Sequence, residues 1–143
     1  MSDTNRILST MLEKDNFSRW MGIIVDEYRE GYCLLHYIIT EDMLNGFGIV
    51  HGGIIFSGAD SAFAFACNSQ GILSVALDVH ISFIKAGKVG DSMSVVAKEI
   101  HTGNKTSFYD ITTTNDRAEI IAVFKGTAYR TGKNVYETGK AST

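Results

Sequence analysis

Residues 51–71 read "HGGIIFSGADSAFAFACNSQG", and small or apolar side chains fall on nearly every side of the helix this stretch would form. A helix without a polar face has to be enclosed by the rest of its chain. One carboxylate, Asp60, stands in the middle of it. An ionised carboxylate taken out of water costs free energy unless a cation pairs with it or chemistry uses it. Between His51 and Asp78 there is no Lys or Arg to neutralise it.

Around this helix the chain reads as strands. Residues 22–39 form two, joined at Arg29-Glu30-Gly31, with β-branched and aromatic side chains on both sides. After residue 71 the period switches to strict alternation: Leu77, Val79, Ile81 and Phe83 on one face, Asp78, His80 and Ser82 on the other. Residues 92–101, 107–114 and 119–130 continue as strands, separated by turn-forming clusters. Residues 3–14 predict a short amphipathic helix, residues 40–44 a single helical turn capped by Thr40, and 68–71 a helix C-cap. The tail from Thr131 is small and polar, and is expected to fray. One buried helix against five or six antiparallel strands is an α+β layout. With no repeat or linker, the 143 residues read as a single domain, 1–143.

Composition removes several function classes. A formal net charge of -3 and the absence of a basic cluster argue against a nucleic-acid partner. The longest apolar run, residues 62–67, is far too short to span a membrane, and the charged N-terminus has no signal-peptide core. Cys33 and Cys67 lie apart in apolar segments and read as buried thiols of a reducing, cytoplasmic protein.

Most motif candidates fail on spacing. "GFG" at residues 46–48 has His51 where a dinucleotide fingerprint needs its third glycine. Ser57 has Ile55 and Ala59 where a nucleophile elbow needs glycines. The four histidines have no partner at ligand spacing, so no metal site is expected; His80 beside Asp78 is the one with some claim to a site. Asn45, His51, Gly52, Gly53 and Asp60 differ because they converge on one element. Two glycines opening a helix let its free N–H groups and positive dipole end approach a polarised carbonyl oxygen. Taken singly, the glycines would be a tight turn, His51 a cap and Asp60 a salt-bridge partner. Gly52 and Asp60 are eight residues apart, roughly 12 Å along a helix. That is too far for both to serve one carbonyl group, so a shared role requires Asp60 from a second copy across a two-fold axis.

At these residues the chain resembles a family. "HGG", Asp60 nine residues after His51, and "DSAFAFACNSQG" are similar to the PaaI-type acyl-CoA thioesterases of the hotdog fold. The resemblance continues through "ISFIKAGKVGDSM", "HTGNKTSFYDI" and "AVFKGTAYR", covering residues 17–131, and "FACNSQG" points toward the phenylacetate branch. It implies a curved antiparallel sheet wrapped around a long central helix, subunits paired edge to edge as homodimers, and dimers paired again into homotetramers. By position it makes Asp60 the catalytic general base or nucleophile and Gly52 the backbone donor to the thioester carbonyl. Asn45 and His51 then flank the site, while Gly53, Phe56 and Ser61 contact substrate. The family binds its substrate's coenzyme A at the subunit interface and uses neither metal nor cofactor.

Phe47, Phe56, Phe63 and Phe65 either line an aromatic-acyl pocket or, as aromatic side chains on a buried helix more often do, fill the core. The resemblance to the phenylacetate branch implies phenylacetyl-CoA and its ring-hydroxylated forms as the expected substrates. Ala86 replaces a proline common in relatives, and Ala76 replaces a hydroxyl that some relatives use to hold water. Two rivals stand beside this reading. A hotdog hydratase or dehydratase would need a proline-rich loop after its histidine, where this chain has "HGGIIFSG". A non-catalytic acyl-CoA sensor would need an output module, for which some twenty residues before the first strand leave no room.

Overall fold

A computed structural model describes residues 3–137. Helix α1 (Asp3–Glu13) is followed by a short α2 (Asn16–Met21), then strands β1 (Ile24–Arg29) and β2 (Tyr32–Ile38). A 3-10 turn (Glu41–Met43) and the glycine loop lead into α3 (Gly52–Cys67), then β3 (Ile72–Phe83), β4 (Ser92–Thr102), β5 (Thr106–Thr114) and β6 (Ile120–Asn134). The six strands form one antiparallel sheet in the order β1-β2-β4-β5-β6-β3. Helix α3 lies across it, packing chiefly on β4 and also on β2 and β5. This is the α+β hotdog architecture, a curved sheet around a central helix.

The inward side chains of each strand and one side of α3 make a single core. Ile55, Ala59, Ala62, Phe63, Phe65 and Ala66 of α3 meet Leu35, Tyr37, Met93, Val95, Ile111 and Phe124, all buried. Two glycines set how closely helix and sheet approach. A Cβ at Gly58 would stand 2.5 Å from the Tyr37 ring, and one at Gly126 would stand 2.7 Å from the Phe63 ring. Phe63 has nowhere to retreat, since Tyr109 and Phe124 flank it at 5.8 and 6.0 Å between centroids. Gly126→Ala is therefore expected to cost about 1–3 kcal/mol in denaturant unfolding, the usual range for an overpacked core.

The end of α3 is stitched down by "NSQG". The Asn68 amide donates to the carbonyls of Ala64 (2.9 Å) and Ser74 (3.1 Å), and its Oδ1 accepts from the Ser74 N–H at 2.8 Å. Ser69 Oγ donates to the Ala66 carbonyl at 2.6 Å and accepts from the Gly31 N–H at 2.8 Å. Helix end, β3 and the β1–β2 turn are thus fixed to one another by buried polar groups that leave no donor stranded.

Several expectations change. Helix α2 falls in a stretch with no assigned element. It is built by Asp15, whose carboxylate accepts from the Ser18 N–H at 3.0 Å, and ended by Gly22 at φ 72°. Thr40 makes no side-chain cap; its carbonyl accepts from the Met43 N–H instead. The fraying expected from Thr131 is wrong in its first part. β6 runs on to Asn134 because its ladder with β3 extends to Ile72↔Asn134, and Val135 is buried in a following 3-10 turn (Val135–Glu137). The rest of that expected tail, 138–143, lies outside the described residues.

On β3 the register with β6 is continuous from Asp78 to Phe83, burial alternates from Asp78 to Ile81, and a bulge lies between Ala76 and Asp78. Residues 75–78 are consequently all exposed, Leu77 at 62%. β3 is an edge strand, so no strand among the described residues pairs with its outer side.

Candidate active site

The first turn of α3 distributes its backbone donors unequally. His51 is the N-cap: its Nδ1 accepts from the Gly53 N–H at 2.8 Å, and its carbonyl accepts from the N–H groups of Ile54 and Ile55. A ring accepting at Nδ1 carries its hydrogen on Nε2 when neutral. The capping reading of His51 is therefore correct, and it uses up Gly53's donor. Gly52 alone keeps an N–H with no acceptor among the described residues. A Cβ at Gly52 would meet the Phe83 ring at 3.4 Å, ordinary van der Waals contact.

Asn45 holds the loop that precedes this turn. Its Oδ1 accepts from the N–H groups of Phe47 (2.9 Å) and Ile49 (3.4 Å), and its backbone N–H donates to the Ile49 carbonyl at 2.8 Å. With Oδ1 engaged, its Nδ2 amide is unclaimed among the described residues. Asn45 and Gly52 line one cleft of about 280 Å³ together with Ile55, Phe83, Lys85 and Ala86. Two free donors thus face one largely apolar hollow at the positive end of a helix, which suits an oxygen gaining negative charge.

Asp60 is not in that cleft. It lies with Gly53, Ser57, Ser61 and Ala64 on the one stripe of α3 that the sheet leaves uncovered. Its half-buried carboxylate accepts no hydrogen bond and joins no ion pair among the described residues. Burial alone holds its carboxyl above the ordinary carboxylate range. The folded state then favours the protonated acid, so its contribution to stability is present below about pH 4 and lost as pH rises through the raised pKa. Asp60→Asn should raise Tm at neutral pH, with the difference vanishing below pH ~4; thermal unfolding across that range checks it.

The remaining sequence candidates are dispersed. Ser61 stands beside Asp60 on the uncovered stripe. Phe56 is half-buried against Phe124, with ring centroids 5.5 Å apart. Phe63 and Phe65 belong to the core, and Phe47 is 92% exposed at the loop tip, so these three do not line a common pocket with Phe56. His80 is exposed on the outer face of the sheet, away from Gly52. Burial pushes the thiols of Cys33 and Cys67 up to about 12, which leaves both inert as nucleophiles. Among the described residues no three His, Cys, Asp or Glu side chains gather as a ligand set.

A second cleft, about 320 Å³, lies on the other side of the helix start and was not foreseen. Phe17 and Trp20 of α2 form its wall, 5.9 Å apart, facing Leu44, His51, Gly53 and Ser57. Both aromatics are about half exposed. The signal was present as two aromatics three residues apart after an Asp cap, on a helix too short for periodicity to reveal.

A six-stranded antiparallel sheet curved around an enclosed helix is the fold of the hotdog thioesterases. The model of the thioesterase superfamily matches residues 47–122, and the chain belongs to that superfamily, whose reaction is hydrolysis of a thioester bond. Acyl-coenzyme A thioesterase PaaI of Escherichia coli (strain K12) is 39% identical over 131 residues, 92% of this chain and 92% of that one. The solved structure of E. coli PaaI, a protein of the phenylacetic acid degradation operon, matches with TM-score 0.90 and 36% identity over 92% of this chain and 96% of that one. A hypothetical thioesterase of Streptococcus pneumoniae TIGR4, solved with coenzyme A, matches with TM-score 0.76 and 26% identity over 78% of this chain and 90% of that one. The family and fold expected from "HGG" and Asp60 are those found.

Proposed function

We propose that the protein hydrolyses phenylacetyl-CoA and ring-hydroxylated phenylacetyl-CoA at sites shared between two subunits, releasing the free acid and coenzyme A. The observation that carries this reading is the unclaimed Gly52 N–H beside the unclaimed Asn45 amide, in a cleft from which the only free carboxylate of α3 is absent. The two donors receive the thioester oxygen as it becomes an oxyanion. Asp60 of the partner subunit supplies the carboxylate, as general base on water or as nucleophile. Desolvation makes it the stronger base of the two settings, water and protein. His51 holds the glycine turn in shape. Kinship with a coenzyme A thioesterase of phenylacetic acid degradation and with a structure holding coenzyme A supports the substrate class.

The two clefts flanking the helix start suit a ligand with two arms. The aromatic wall of Phe17 and Trp20 favours a ring-bearing acyl group. Gly53, Ser61 and Phe56 lie along or beside the stripe such a group would follow.

Pairing through β3 supplies the second subunit. A long exposed edge strand carrying Val75 and Leu77 is an aggregation liability unless something covers it. The opposite edge, β1, is half as long as β3 and charged with Asp26, Glu27 and Arg29, features that discourage pairing. Sedimentation velocity should find a dimer or a dimer of dimers, and no monomer at micromolar concentration.

The test is a kcat/KM panel across acyl-CoA thioesters. Phenylacetyl-CoA and its hydroxylated forms should exceed palmitoyl-CoA by at least ~10-fold, since the clefts are short. A higher value with palmitoyl-CoA overturns the substrate; crotonyl-CoA hydration in place of hydrolysis overturns the reaction.

A further inference from the structure

Among the described residues three buried side-chain hydroxyls have no hydrogen-bond partner, those of Tyr37, Ser107 and Thr113. A buried hydroxyl left unpaired costs free energy, so each of the three has a partner to gain from a ligand. Ser107 and Thr113 belong to β5 and line neither cleft at the helix start. Tyr37 differs in where its ring leads. It projects from β2 onto α3, where a Cβ added at Gly58 would stand 2.5 Å from its ring and 2.9 Å from its oxygen. The absence of a side chain at Gly58 is what lets the phenol reach the helix backbone. Burial holds its pKa above the ordinary phenol range, so the group is a neutral O–H donor at any working pH. Ile54, which lines the Phe17–Trp20 cleft, stands one turn before Gly58 on the same face of α3. Ser61 stands three residues after it, and its hydroxyl also has no partner among the described residues. Trp20 lines both that cleft and the hollow of about 270 Å³ to which Tyr37 belongs.

We propose that the Tyr37 hydroxyl donates a hydrogen bond to the para-hydroxyl of a hydroxyphenylacetyl group, and so makes 4-hydroxyphenylacetyl-CoA a better substrate than phenylacetyl-CoA. The inference rests on the thioesterase reading and names the residue that tells its substrates apart. With the thioester oxygen at the Gly52 N–H, the acyl arm follows α3 past Gly53 and Ser57 into the Phe17–Trp20 cleft. Gly58 is six residues beyond Gly52, roughly 9 Å along the helix axis. A para-hydroxyphenylacetyl group with a hydrogen bond at each end covers that distance. An ortho-hydroxyl stays beside the methylene and falls short of it. Trp20, 53% exposed, is the wall common to the two hollows, and its side chain swings aside to join them. The Tyr37 donor then meets an acceptor that no protein group supplies, while Ser61 Oγ can accept from the substrate's own O–H. A ring without the hydroxyl leaves the Tyr37 donor buried and unpaired, the asymmetry by which a polar pocket rejects an analogue lacking its polar group.

Tyr37→Phe tests it, since Phe keeps the ring and removes only the hydroxyl. Wild type should show a kcat/KM for 4-hydroxyphenylacetyl-CoA at least ~10-fold above that for phenylacetyl-CoA, and the variant should bring the ratio to about one. The change should come from loss on the para-hydroxylated substrate, with phenylacetyl-CoA and 2-hydroxyphenylacetyl-CoA hydrolysed as by wild type. Equal losses on all three would make Tyr37 a packing residue, and a ratio the same in variant and wild type would mean that its hydroxyl reads nothing. Either result overturns the proposal. Binding without turnover is read from the fluorescence of Trp20, the chain's one tryptophan. The titrants are S-[2-(4-hydroxyphenyl)ethyl]-coenzyme A and S-(2-phenylethyl)-coenzyme A, thioethers that cannot be hydrolysed. The first should bind wild type at least ~10-fold more tightly than the second, and both should bind Tyr37→Phe equally. Loss of that binding preference in a protein that hydrolyses no thioester would keep Tyr37 as the reader of the hydroxyl and remove the thioesterase reading. Hydrolysis of both thioesters with a ratio untouched by Tyr37→Phe would keep the thioesterase reading and remove this proposal.

Discussion

Asp60→Asn should lower turnover of phenylacetyl-CoA by at least ~10² while the protein still binds its substrate. Asn has the size and hydrogen-bonding reach of Asp, so packing along the α3 stripe is kept. It lacks the negative oxygen that draws a proton from water or attacks a carbonyl carbon, and both routes are therefore lost together. Neither thiol nor Ser57 can substitute: Cys33 and Cys67 are held protonated, and Ser57 donates its hydroxyl to the Gly53 carbonyl at 2.7 Å. The Gly52 and Asn45 donors remain, so residual activity above the uncatalysed rate is expected from the oxyanion cleft alone. Single-turnover rates, with product-complex affinity measured separately, check both halves. Turnover near the wild-type level with Asn at this position would remove Asp60 from the mechanism.

Mixing two inactive proteins should restore activity to about a quarter of wild type. The first is Asp60→Ala, with an intact loop; the second is Asn45→Ala/His51→Ala, with an intact carboxylate. After joint unfolding and refolding, half the dimers are mixed, and in each of these one site joins the sound loop to the sound Asp60 of the other chain. The geometry behind this is the separation of Gly52 from Asp60, roughly 12 Å along one helix, with Asp60 outside the Gly52 cleft. His51→Ala removes the acceptor for the Gly53 N–H and Asn45→Ala frees the Phe47 and Ile49 N–H groups, so circular dichroism and sedimentation must show that the loop variant still folds and dimerises. With that shown, zero recovery would place the whole site within one subunit.

Patterns that repeat along the chain were legible without coordinates. The six strands follow from alternation and turn residues, and α3 from an apolar run that no single face could bury. The identity of the candidate residues was legible too, because an unneutralised Asp inside such a run and two glycines at its start have few ordinary explanations. Short or irregular pieces were not. α2 has six residues, too few for a helical period, and the alternation on β3 gave no hint of its bulge. Phe63 and Phe65 read as candidates for an acyl pocket, and packing made them core, while Phe17 and Trp20 came to face the helix start from well before it in sequence.

The sequence by itself determined which groups could do chemistry and which elements would carry them, since both depend on residue type and local spacing. Only the tertiary structure decided which of those groups are free. That His51 consumes the Gly53 N–H and leaves Gly52's open depends on one imidazole folding back over one turn. That β3 is an edge strand depends on a strand order set by long-range pairing. That the Tyr37 hydroxyl is buried without a partner depends on a strand meeting a glycine of the helix packed on it. Hydrogen-bond satisfaction and charge neutralisation belong to contacts between distant segments, and chain order does not specify those until the sheet has closed around its helix.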